Sequence, residues 1–184
     1  MRYKFLWILF FICTSLSCNK QNEVFQRIVN EWQNKEIVFV DSLCSKIYGR
    51  DTLLSPISLG NTYKILSYID TSDCIECKLK FQEWNRLIKE RDSLHLKVDF
   101  VFVAHLNHYY LLEKSQKINK FDRAIYYDYK DLINKKNKFP KNFMFQTFLL
   151  NSQNRVVLVG NPAINPKLWD LYKREIPKEN EIKR

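Results

Sequence analysis

Cys74 and Cys77 stand three residues apart in Cys74-Ile75-Glu76-Cys77, between one apolar run and one amphipathic run. Two thiols at this spacing suit a cycle of disulfide exchange. A thiolate on the first attacks a foreign disulfide, and the second attacks the mixed disulfide and releases the partner. The run Tyr63–Ile69 predicts a strand. Phe81, Trp84, Leu87 and Ile88 recur at three-and-four spacing, which predicts a helix starting near Cys74 with one buried face. A thiol in the first turn of such a helix meets unpaired backbone N–H groups and the positive end of the helix dipole. Both favour thiolate over thiol. Asp73 and Glu76 work the other way, because nearby carboxylates oppose a thiolate, and Lys78 and Lys80 partly offset them. Asp70, at the end of the strand, reads either as a proton acceptor for the thiols or as a strand-end cap.

The N-terminus reads as an export signal. Arg2 and Lys4 precede an apolar run from Phe5 to Cys13, too short to span a bilayer comfortably but suited to a signal-peptide core. Ser17 directly before Cys18 predicts a lipobox, with Cys18 the lipidated first mature residue and a membrane anchor. The alternative is a plain secretory signal cleaved nearby. With Cys13 lost and Cys18 lipidated, three of the five cysteines remain: Cys44, Cys74 and Cys77. These make one redox pair and one spare thiol in a compartment where disulfides persist. Cys44 reads as a small apolar residue in the interior.

The expected organisation is a signal peptide over 1–17, a tether and helix over 18–35, one domain over 36–177 and a basic tail over 178–184. About 167 residues then remain, enough for one ordinary core. The net charge of +10 gathers in 114–120, 135–141 and 173–184 and reads as solvated faces. An exported chain without a recognition motif is not expected to bind nucleic acid.

The remaining patterns predict a helix over 23–33, short β segments over 37–40 and 45–48, and a buried strand over Val98–Ala104. A helix around Tyr110–Ile118, a strand over 123–128 and a short helix over 130–136 follow. Strands over 145–150 and 156–159 flank the polar connection Asn151-Ser152-Gln153-Asn154, and a helix over 166–176 ends the domain.

With its cysteine pair in that place, the chain resembles thioredoxin-like exported lipoproteins of the TlpA/ResA class, of the Bacteroidetes kind. The resemblance covers 64–176 and rests on Tyr68-Ile69-Asp70-Thr71-Ser72-Asp73-Cys74-Ile75-Glu76-Cys77-Lys78, on 147–151 and on 156–162. It implies an α/β thioredoxin-like fold, with a central mixed β-sheet and helices on both faces. Cys74 would be the attacking thiol and Cys77 the resolving one. The work would be reduction or isomerisation of disulfides in exported proteins, at the periplasmic face of the inner or outer membrane. Electrons would come from a membrane donor, and no cofactor or metal is called for. The family has a cis-proline before the strand facing the thiols, where Gln146 stands here with Thr147 behind it. These two mark the expected substrate groove. A cis bond without proline costs about 2.5–4 kcal/mol, so Gln146 is expected to be trans and the groove altered.

Other chemistries fit less well. His105 and His108 are spaced like a zinc pair but lack two further ligands. Lys78 stands where a c-type haem site has histidine. The main alternative is a non-catalytic lipoprotein that keeps the fold as a binding module.

Overall fold

The computed structural model describes residues 23–53, 62–71 and 78–178. The sequence readings at Cys18, Cys74, Cys77 and 179–184 lie outside the described residues. Helix α1 covers 23–32. It is followed by β1 (Cys44–Ile47), β2 (Arg50–Asp51), β3 (Tyr63–Ile69), α2 (Phe81–Ser93), β4 (Val98–Ala104) and α3 (Tyr110–Ile118). The chain continues through β5 (Ile125–Tyr127), α4 (Leu132–Asn137), a 3-10 turn (Phe143–Phe145), β6 (Thr147–Leu150), β7 (Val156–Val159) and α5 (Pro166–Glu175).

The strands form one mixed sheet in the order β2-β1-β5-β4-β3-β6-β7. β4 is the middle strand; β3 lies beside it, parallel to β4 and antiparallel to β6, and β5 runs parallel to β4. β3 and β4 are covered on both faces, which is why they read as near-continuous apolar runs. One face packs Ile65, Ile69 and Phe102 against Trp84, Leu87 and Ile88 of α2 and against Trp169 and Tyr172 of α5. There the Trp84 ring stands edge-on to Phe102 at 5.2 Å. The other face packs Leu66, Tyr68, Val103 and Phe148 against Trp32 of α1 and Ile133 of α4.

Three expectations need correction. The segment 37–40 forms no strand, because the Asn137 amide takes both backbone groups of Val38, each at 2.9 Å. The adjoining Ile37 N–H goes to the Asn154 carbonyl. With those groups engaged, the segment cannot join the ladder. Cys44 is exposed, not interior: β1 sits outside β5 with only the two-residue β2 beyond it. Finally, α2 is not one continuous helix from Cys74. Residues 78 and 79 are helical, but Lys80 adopts φ 40°, ψ 36°, and α2 starts afresh at Phe81. That left-handed residue interrupts the N–H to C=O ladder, so the positive end of α2 lies at Phe81, past the cysteines in the chain.

Candidate functional site

The three parallel strands end level with one another. Ile69 pairs with Ala104, and Ala104 with Tyr127. The residues that follow, Asp70, His105 and Asp128, therefore form a row along the carboxyl edge of the sheet, where open α/β sheets bind ligands. Two backbone hydrogen bonds stitch the row, from His105 N–H to the Ile69 carbonyl and from Asp128 N–H to the Ala104 carbonyl, each 2.8 Å. The His105 ring also lies on it, with Nδ1 at 2.8 Å from the Asp128 carbonyl. Since a carbonyl only accepts, Nδ1 is the protonated nitrogen. Asp128 is buried and caps α4 by accepting from the N–H groups of Leu132 and Ile133, both at 2.8 Å.

Asp70 leads directly into 72–77, the segment that carries Cys74 and Cys77. Its carboxylate is engaged on both oxygens. Lys78 Nζ approaches Oδ1 to 2.5 Å and also lies 3.2 Å from the Asp70 carbonyl. Gln146 Nε2 donates to Oδ2 at 2.8 Å. The Lys78 side chain is buried to 3% exposure and that of Asp70 to 17%. Removing one partner of such a pair strands a charge away from water, typically at about 3–5 kcal/mol. Asp70 therefore sits as the partner of a buried ammonium, and as a proton acceptor it would first have to leave that pair.

Lys78 was expected to soften the negative charge of Asp73 and Glu76. Its ammonium is turned inward onto Asp70, and Lys80 is exposed. The signal for burial in the sequence is slight: a lysine one place after Cys77, with an acid eight positions before it.

Gln146 sits at the junction of the 3-10 turn and β6. Its carbonyl accepts from Tyr68 N–H at 2.9 Å, and its amide also donates to the Pro140 carbonyl at 2.9 Å. Gln146 and Thr147 are both buried. Gln146 Oε1 has no hydrogen-bond partner among the described residues. Beside this turn lies a trough of about 350 Å³ lined by Val24 and Phe25 of α1, Met144, Phe145, Ile164 and Leu168. On the far side, Tyr68 donates to Asp131 Oδ1 at 2.6 Å. Burial and that carboxylate hold its phenol far above the ordinary range.

No protein-family model matches this sequence, and neither does any curated protein. Solved structures do match. StoA from Bacillus subtilis is 22% identical with a TM-score of 0.51, over 73% of this chain and 98% of that one. The thioredoxin domain of a thiol-disulfide oxidoreductase from Bacteroides vulgatus is 10% identical with a TM-score of 0.54, over 76% of this chain and 97% of that one. Peroxidoxin BcpB from Mycobacterium tuberculosis is 12% identical with a TM-score of 0.54, over 78% and 98%. The fold is thioredoxin-like.

In this thioredoxin-like sheet the described residues contain no cis peptide bond, and Gln146 has ordinary backbone angles of φ −90° and ψ 18°. Among the described residues no group of three or more His, Cys, Asp or Glu is placed to hold a metal ion. His105 is tied to Asp128, while His108 is exposed. Among the described residues, no helix is long and apolar enough to cross a membrane.

Proposed function

We propose that this chain is an exported thiol-disulfide oxidoreductase, reductase- or isomerase-like, held at a membrane by lipid on Cys18 and working through Cys74 and Cys77. The observation that carries this reading is the meeting of a CxxC pair with a thioredoxin-like fold. The pair belongs to the segment leaving the carboxyl end of the interior strand β3.

The Cys74 thiolate attacks one sulfur of a substrate disulfide; that S–S bond breaks, a mixed disulfide forms, and the other substrate sulfur leaves as a thiolate. The Cys77 thiolate then attacks the Cys74 sulfur and expels the second substrate sulfur. The substrate is reduced by two electrons and Cys74–Cys77 is oxidised. A membrane-held dithiol donor reverses the oxidation, and no cofactor enters the cycle. Substrates are disulfides of exported proteins, at the periplasmic face of the inner or outer membrane.

The position of Gln146 favours a second reading. Without proline there, the substrate-binding turn of this fold changes, and the trough beside it would serve a non-catalytic binding lipoprotein.

The test equilibrates the detergent-solubilised full chain across glutathione buffers of known poise and maps free thiols by peptide mass after alkylation. One two-electron transition confined to Cys74 and Cys77 is expected. Cys74→Ser should abolish mixed disulfides with exported proteins, and Cys77→Ser should trap them. A pair that never closes or never opens leaves the binding reading. For the anchor, palmitate incorporation should vanish in Cys18→Ala.

A further inference from the structure

The apolar stripe of α1 runs past the core it serves. Ile28 and Trp32 pack into the domain, and Val24 and Phe25 continue that face toward the N-terminus, where both are exposed. There the Phe25 ring lies 5.6 Å from that of Phe145. Exposed Met144 and half-buried Ile164 and Leu168 complete the apolar wall of the trough of about 350 Å³.

Among the described residues that line this trough, none is titratable. Its polar side chains are three asparagines, each with its oxygen turned to a local backbone N–H. Asn142 accepts from Met144 at 3.0 Å, Asn161 from Ala163 at 2.9 Å and Asn165 from Lys167 at 3.1 Å. A small-molecule site needs converging polar groups to orient its ligand, and here those oxygens serve the turns instead. Charge gathers at the rim. Lys141 and Lys167 are the chain neighbours of Asn142 and Leu168, Arg27 lies one helical turn after Val24, and all three are exposed. Glu23, beside Val24, is exposed too and opposes them.

We infer that this trough and its cationic rim form the face on which the domain rests against an anionic phospholipid bilayer, with an acyl chain filling the trough. The inference rests on the lipid proposed at Cys18. Glu23 stands five positions after Cys18, and five residues fully extended span at most about 18 Å. The anchor therefore holds the exposed end of α1, and with it the trough, close to the headgroups. Apolar side chains flanked by lysine and arginine are the composition of a surface that lies in the membrane interface. The apolar wall enters the acyl boundary, and the rim cations meet the lipid phosphates.

The test places the photo-crosslinker p-benzoylphenylalanine at Met144 or, as a control, at Tyr110, which is exposed on α3 and lines no part of the trough. The full chain is reconstituted into vesicles of equal parts phosphatidylethanolamine and phosphatidylglycerol, irradiated, and its peptides weighed for phospholipid adducts. Adducts are expected at position 144 and not at 110. Lys141→Gln with Lys167→Gln should lower the yield about fivefold or more, and phosphatidylcholine vesicles should do the same. Val24→Asp, on an exposed position, should lower it with near-ultraviolet circular dichroism unchanged. Equal yields at 144 and 110 would overturn the inference, because a tether alone would then bring lipid to every face. So would adducts at 144 to a second copy or another protein instead of lipid, or no adduct there. Palmitate incorporation reads the anchor separately. A palmitate-labelled chain without adducts at 144 overturns this face alone. Adducts at 144 in an unlabelled chain overturn the anchor and support the face.

Discussion

Gln146 Nε2 lies 2.8 Å from Asp70 Oδ2, a hydrogen bond between residues 76 positions apart that joins the start of β6 to the end of β3. Gln146→Leu keeps the bulk and removes the donor, leaving a buried carboxylate oxygen and the Pro140 carbonyl short of a partner. Unfolding in urea should show a loss of about 1–3 kcal/mol. An unchanged midpoint would mean the amide contributes nothing to stability.

Gly160 has φ +121°, and a Cβ there would meet Leu168 Cδ1 at 2.8 Å. Its N–H also donates to the Thr147 carbonyl at 2.8 Å, so the backbone cannot turn away without losing that bond. Gly160→Ala should therefore cost about 1–3 kcal/mol in a thermal or urea melt. Adding Leu168→Ala should relieve the clash but not the backbone strain, so recovery should be partial. Full recovery would show that the contact alone sets the cost.

Trp84 is 1% exposed and packs between Phe100 and Phe102. Trp84→Ala should cost about 3–5 kcal/mol, the usual range for emptying so large a buried site. Tyr110, at 68% exposure on α3, should tolerate alanine within about 0.5 kcal/mol. Similar losses at the two positions would contradict the described packing.

Burial pushes the Tyr109 phenol up to about 12. Tyr68, Tyr127 and Tyr172 are raised for the same leading reason. In the unfolded chain a tyrosine ionises near its ordinary value of about 10. Above that pH the unfolded state releases protons that the folded state retains. The stabilising contribution is thus complete below about pH 10 and is lost as pH rises through the folded values. Absorbance at 295 nm should show part of the tyrosine ionisation arriving abruptly, together with loss of near-ultraviolet circular dichroism. Smooth ionisation centred near pH 10 with the fold intact would refute the burial of these rings.

Cys44 is exposed on β1. Iodoacetamide should label it in the folded protein without denaturant, at a rate close to that in the unfolded chain. Protection until the fold melts would place it inside after all.

The sequence by itself determined the elements whose apolar pattern is strong and local. The ranges 63–69, 98–104, 110–118 and 156–159 were all legible, because a strand buried on both faces or a helix with one buried face repeats its signal along the chain. Their order, with CxxC after the strand over 63–69, pointed to the thioredoxin-like arrangement. Tertiary structure alone decided matters that depend on distant partners. Asn137 captures Val38 across 99 positions and keeps an apolar segment out of the sheet. Gln146 and Asp70 meet across the 76 positions between β3 and β6. Lys78 looks like a solvated lysine beside the CxxC pair, and only the fold brings Asp70 to a side chain buried at that point. Hydrophobic periodicity reports which residues seek the interior. It carries no information about which buried charges and amides will find one another there.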